Sequence, residues 1–257
     1  MITRAGKSVT SALRLCLGRW PPGPHGTGCM LVMIGATPEG RKELLGFQVG
    51  IRESAQSWHE LLIDLKARGL QVAPELAVAD GALGFWKALD EVFPGTCHRR
   101  CWFHKTGNVL NKVAKSIQPA VKQDPREIWM APDLMTAKSA LNTYEMKYGA
   151  KYSGAVECLT KDREALLAFY NFPAEHWDHV RTTNPIESVF ATVRHRTVRV
   201  KGALSQDTAR LMVFKLITAA ARTWRKLKGG NQLPKVIQGV KFRDGIEVSV
   251  PTSQSAA

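Results

Sequence analysis

Leu76-Ala77-Val78-Ala79-Asp80-Gly81-Ala82-Leu83-Gly84-Phe85 is the stretch on which the fold turns. Four apolar residues in a row suit a short, fully buried strand, and Asp80-Gly81 stops it with turn chemistry. Phe85, Leu89 and Val92 then recur at helical spacing until Pro94-Gly95 ends the helix. Upstream, Ser54 is placed to cap a helix carrying Trp58, Leu61, Leu62 and Leu65, with Gly69 at its C-terminal end. Before that, Met30-Leu31-Val32-Met33-Ile34-Gly35 and Leu44-Leu45-Gly46-Phe47-Gln48-Val49 read as two strands. The turn Thr37-Pro38-Glu39-Gly40 joins them as a hairpin. Downstream, residues 97–103 read as a strand and 106–117 as a helix. Strand, strand, helix, strand, helix, strand is the order of an α/β fold.

After about residue 105 the strand signals stop. Met135–Tyr148 and Ala155–Tyr170 have helical periodicity, with Pro125, Pro132 and Pro173 as punctuation, and the helical pattern resumes over 184–200 and 206–228. The last residues, from Pro251, are polar and expected to fray. Residues 1–29 carry Arg4, Lys7, Arg14 and Arg19 but no acid, and Pro21-Pro22-Gly23-Pro24 cannot continue a helix or a central strand. They are expected to form a poorly ordered arm.

Of the 257 residues, 36 are Lys or Arg and 22 are Asp or Glu, a net charge of +14 that favours a polyanionic partner, nucleic acid first. No apolar run reaches the roughly 20 residues that cross a bilayer. Five cysteines in so long a chain are not a disulfide framework and suit a reducing cytoplasm.

Three groups of residues could carry chemistry. Asp80 follows a buried strand, where open α/β sheets place ligands, although an Asp before Gly also suits a plain turn or cap. Gly81 and Gly84 lack the full dinucleotide fingerprint and any phosphate-binding lysine. In Thr183-Asn184-Pro185-Ile186-Glu187-Ser188, Asn184 can cap and Pro185 can open a helix. Glu187 then falls in its first turn, off the apolar stripe of Ile186, Val189, Phe190 and Val193. The helix dipole alone favours an acid there. The same helix runs into Arg194, Arg196, Arg199 and Lys201, which suits either a solvated basic face or a DNA backbone. Third, Cys97-His98-Arg99-Arg100-Cys101-Trp102-Phe103-His104 holds two Cys and two His, but without a second ligand pair at finger spacing. His104 as a site residue, or Cys101 and His104 as a core pair, fits this cluster better than structural zinc.

Taken together, four blocks in order resemble the bacterial Mutator-type insertion-sequence transposases. They are Gly40-Arg41-Lys42-Glu43-Leu44-Leu45, Val78-Ala79-Asp80-Gly81-Ala82-Leu83-Gly84-Phe85, Arg100-Cys101-Trp102-Phe103-His104-Lys105 and Arg181-Thr182-Thr183-Asn184-Pro185-Ile186-Glu187-Ser188. The resemblance covers about residues 30–248. It implies a ribonuclease H-like core with a DDE triad and a helical insertion between the second Asp and the Glu. By the motif match, Asp80 stands for the second Asp and Glu187 for the Glu, both as Mg2+ ligands, while Cys101 and His104 match the C-x-x-H signature near the active site. On this basis residues 30–105 begin the core, 106–180 form the insertion, 181–248 are C-terminal helices of the core and 249–257 a tail.

The resemblance implies Mg2+-dependent DNA cleavage and strand transfer in an assembly that pairs two element ends. The partners implied are double-stranded DNA of the terminal inverted repeats, target DNA, and further copies of this chain or intact copies, in the bacterial cytoplasm beside the nucleoid. One element departs from the pattern. The first triad Asp should sit on the first strand, upstream of Met30, yet no Asp precedes Asp64, which the spacing places inside the Trp58–Leu65 helix. The first strand is therefore expected to be missing, replaced by the Pro/Gly-rich segment of a truncated or frame-shifted copy, and catalysis is expected to be defective. A non-catalytic DNA-binding remnant and a ribonuclease H-like nuclease are the alternatives.

Overall fold

A computed structural model describes residues 9–16, 29–50, 53–81, 83–183, 190–193, 195–196 and 206–248. Five strands form one sheet: β1 (Val9–Cys16), β2 (Cys29–Ala36), β3 (Lys42–Gly50), β4 (Leu76–Ala79) and β5 (Cys97–Arg100). Their spatial order is β3-β2-β1-β4-β5. β1 runs antiparallel to β2 and parallel to β4, β2 antiparallel to β3, and β4 parallel to β5.

The order corrects one expectation. A first strand is present, and it holds the centre of the sheet. Val-Thr-Ser-Ala-Leu-Arg-Leu-Cys can pair along its length because it has no proline and no glycine to break the ladder. The Pro/Gly-rich stretch at 21–26 follows this strand in sequence instead of replacing it. A strand built from residues 9–16 also means that the first 29 residues are not wholly an unstructured arm.

Both faces of the sheet are covered, and the period-two alternation of the strands says how. On one face Leu31, Met33, Ala77 and Ala79 pack with α1 (Ala55–Ala67) and α2 (Leu83–Val92). Trp58, Leu61, Leu62 and Leu65 come from α1, and Phe85, Ala88, Leu89 and Val92 from α2. Ser54 caps α1 in a reciprocal capping box with Ser57, the N-terminus that the sequence indicates. On the other face Leu76 and Val78 meet Trp102 and a block of helices, while Met30, Val32 and Ile34 meet Phe190, Val193, Val213 and Ile217. Val213 and Ile217 belong to the helix Gln206–Ala221.

The helical block comprises α3 (Trp102–Leu110), α4 (Gln118–Val121), α5 (Gln123–Met130), α6 (Leu134–Tyr148), α7 (Ser153–Thr160), α8 (Arg163–Leu167) and α9 (Trp177–Val180). Several boundaries differ from the periodicity: the helix expected over 106–117 ends at Leu110 and that over 206–228 at Ala221. β5 ends at Arg100 because Trp102 already belongs to α3, whose ring is buried with Nε1 donating to Leu166 O at 2.9 Å. The stretch 155–170 is not one helix. It breaks at Lys161-Asp162, where Asp162 turns to Lys105 and Arg100. A short late hairpin, β6 (Phe242–Arg243) and β7 (Ile246–Glu247), adds strands after residue 105 that the sequence reading did not foresee.

Candidate functional site

The pairing register orients the whole sheet. Val9 pairs with Ala36 on one side and Leu76 on the other, so the β2–β3 turn and the start of β4 share one end. Cys16 pairs with Cys29, and Cys29 with Gly50, at the opposite end, to which β4 and β5 also point. Asp80 follows β4 at that second end. There the chain leaves β1 toward β2 on one side and leaves β4 toward β5 on the other. Such a switch point between parallel neighbours is where open α/β sheets hold ligands.

Asp80 is half-buried and is followed by Gly81 at φ +109°, a conformation that an L side chain rarely adopts. A Cβ on Gly81 would also lie 2.8 Å from Arg100 Nη1, so the guanidinium of Arg100 sits directly against this loop. Arg100 is held there by Asp162, with Nε 3.7 Å from Oδ1, and by the Trp86 ring, whose centroid is 5.2 Å from its Cζ. Gly84 serves packing instead of a phosphate: its Cβ would meet the Ala55 backbone nitrogen at 2.8 Å.

Cys101 sits at the end of β4, and with His104 it faces the segment that leads to Glu187. The Cys101 N–H donates to Ala79 O at 3.0 Å, which extends the β4–β5 ladder past its last pair. Its sulfur accepts from both the N–H and the hydroxyl of Thr183, each at 3.4 Å. The Thr183 hydroxyl also lies 3.4 Å from His104 Nδ1, and the Trp102 N–H donates to Arg181 O at 2.9 Å. Burial alone pushes the Cys101 thiol up, but hydrogen bonds from His104 and Thr183 and the nearby imidazole outweigh it, so its pKa lies below the usual value. The C-x-x-H pair thus fastens the end of β4 to residues 181–183.

The rest of the Arg100–Lys105 block anchors the helices. Lys105 is buried, donates to Cys158 O at 3.1 Å and pairs with Asp162. Arg99 is buried with its guanidinium 4.9 Å from the Phe172 centroid and Nη2 donating to Ala168 O. Burial draws its pKa down to about 10. Arg181 is buried among the rings of Phe169, Trp177 and Trp129, at 4.5, 4.8 and 5.8 Å. The Cys/His cluster, by contrast, separates. Cys97 is exposed, and His98 lies 3.0 Å from Asp90 and stacks on Trp86, whereas Cys101 and His104 turn to Thr183.

Glu187, Arg194, Arg199 and Lys201 lie outside the described residues. Arg196 is exposed on helical residues that follow the buried Phe190 and Val193. Among the described residues no cluster of three or more His, Cys, Asp or Glu is gathered for a metal. Asp64 lies in α1 and pairs with Arg68 at 2.7 Å. Glu39 and Glu43 sit with the β2–β3 turn at the far end of the sheet from Asp80. Glu53 lies toward the Asp80 end, but its Oε1 accepts from Trp58 Nε1 at 2.7 Å. β1 contains no Asp or Glu at all.

Sequence reasoning did not single out Thr183, Arg181, Asp162 or Phe103. Thr183 and Arg181 stand within a quoted block and could have been weighed with it. Asp162 could not, because its partner Lys105 is 57 residues away.

Residues 25–227 match the model of the family described as transposase, Mutator family. The chain is 48% identical over 258 residues to the transposase for insertion sequence element IST2 of Acidithiobacillus ferrooxidans, covering 98% of this chain and 87% of that one. It is also 48% identical over 233 residues to the transposase for IS6120 of Mycolicibacterium smegmatis, covering 88% and 72%. Identity to the transposase for IS905 of Lactococcus lactis subsp. lactis is 31% over 169 residues, covering 66% and 43%.

Proposed function

Because the chain belongs to the Mutator family of transposases, we propose that it acts on the DNA ends of an insertion sequence through a ribonuclease H-like sheet whose DDE centre is one carboxylate short. Three features support the sheet reading: the order β3-β2-β1-β4-β5, the antiparallel pairing of β1, β2 and β3 beside parallel β1, β4 and β5, and Asp80 at the switch point. Asp80 and Glu187 are the two carboxylates that the motifs supply. Each offers hard oxygen donors of the kind that Mg2+ prefers.

The donor set does not fit a complete two-metal centre, in which three carboxylates hold two ions about 4 Å apart. The observation that carries this is β1. It lies beside β4, where a first Asp belongs, and its eight residues include no acid. Glu39 and Glu43 are at the wrong end, and Glu53 is engaged by Trp58. Strand transfer by this chain is accordingly severely impaired.

DNA binding does not need the missing acid. The net charge of +14 and the basic run Arg194, Arg196, Arg199 and Lys201 give the protein its attraction for a phosphate backbone. In this form the chain occupies element ends, alone or mixed into oligomers with intact copies. The test is binding to terminal-repeat DNA by wild type and Asp80→Ala over a salt series. Equal, salt-sensitive binding is expected. Loss of binding in Asp80→Ala, or a preference for RNA–DNA hybrids over duplex DNA, would count against this reading.

A further inference from the structure

We infer that Phe103 is a stacking platform for an unpaired nucleobase at the Asp80 edge of the sheet, where Leu83 at the start of α2 is also exposed. The inference rests on the reading above that the chain holds insertion-sequence DNA ends with Asp80 in its incomplete centre. Phe103 is 62% exposed and Leu83 79%, although apolar side chains on the same two helices are buried in the core. Both positions are set by the ends of the parallel strands. Leu83 opens α2 three residues after Asp80, and Phe103 is the second residue of α3, two after Cys101.

Phe103 is held out by its neighbours. Trp102 is buried and bonded to Leu166, Lys105 is buried against Cys158 and Asp162, and His104 turns to Thr183. With those three directions taken, the helix leaves Phe103 facing away from the core. The imidazole of His104 meets it edge-on, with centroids 6.1 Å apart and planes at 89°. That contact steadies the ring.

The surroundings favour a nucleotide over a protein partner. Arg100 lies against the Gly81 loop, and the chain as a whole carries +14. A base presents a flat apolar face while its phosphate meets positive charge, and aromatic side chains in basic grooves hold unpaired bases in this way. The ligand class is therefore an unpaired or splayed-out DNA base next to the scissile position, as arises when a strand end is separated from its complement.

The experiment uses the full chain in metal-free buffer with two DNAs of the same repeat sequence. One is fully paired and the other has a short unpaired strand end carrying 2-aminopurine. Wild type is expected to prefer the unpaired end and to quench its fluorescence. Phe103→Ala is expected to bind that DNA about tenfold more weakly, with fluorescence unquenched, while binding the paired duplex as wild type does. Phe103→Trp restores both. Circular dichroism checks that the variants are folded. Equal binding by wild type and Phe103→Ala, or the same loss on both DNAs, would overturn the stacking proposal while leaving DNA binding intact. Failure of wild type to bind either DNA would instead sink the DNA-end reading on which the proposal stands.

Discussion

Replacing Cys101 by Ala tests whether its sulfur ties the end of β4 to the segment before Glu187. Cys101 is 1% exposed and Thr183 0% exposed, so the contact between them lies wholly inside the protein. The substitution removes one buried heavy atom, worth about 1 kcal/mol in lost burial. It also removes the acceptor for two hydrogen bonds from Thr183, each at 3.4 Å. Sulfur accepts weakly, so about 0.5 kcal/mol for each bond is a fair measure. The sum is about 2 kcal/mol, and for a chain of this size that lowers the thermal midpoint by about 4–8 °C. Urea denaturation of wild type, Cys101→Ala, Thr183→Val and the double variant measures it. Because the two residues touch, the cycle is expected to show a coupling of about 0.5–1 kcal/mol. Additivity within about 0.3 kcal/mol would refute the tie, since sites that do not communicate behave in that way.

Three further outcomes follow from other parts of the molecule. Lys105→Met leaves the largely buried Asp162 with Arg100 but without its nearest cation. It should cost about 3–5 kcal/mol by chemical denaturation, and Asp162→Leu in the same chain should recover part of the loss. Burial first, and then Lys42, lowers the His179 pKa from the ordinary 6.5 to about 4, and its Nε2 accepts the Lys228 N–H at 2.9 Å. The unfolded chain therefore binds more protons than the folded one in this window, so stability should fall as pH drops from 6.5 toward 4. His179→Gln should flatten that slope in thermal melts taken across the range. Continuing the β1–β4 register two residues beyond Ser11 and Val78 sets position 13 beside Asp80. Leu13→Asp should raise Mg2+-dependent nicking above wild type, and no increase would place the missing acid at a different position.

Local chemistry made much of this fold legible. Ser54 at a helix start, Thr37–Gly40 as a hairpin turn and Leu76–Ala79 before Asp80 each announce themselves within a few residues. What was not legible depends on distant partners. β1 is sustained by β2 and by β4, more than 60 residues on, and no local signal separates its pairing from the proline-rich stretch that follows at 21–24. The break at Asp162 exists because Lys105 and Arg100 claim its carboxylate, which no helical periodicity records. In the site, Asp80 was readable from its strand, and the blocks around Cys101 and Glu187 from their resemblance. The contact of Cys101 with Thr183 joins residues 82 apart and needed the fold.

On the proposed reading, the chain holds DNA ends but the Asp80 edge lacks a full set of catalytic carboxylates. The most direct measurement is nicking and strand joining on supercoiled DNA that carries the element ends, in Mg2+ and in Mn2+, with Glu187→Gln as the control. The folded, DNA-binding wild type is expected to show no strand joining above that control. Robust joining by wild type, abolished in Glu187→Gln, would contradict it and show that another acid completes the site.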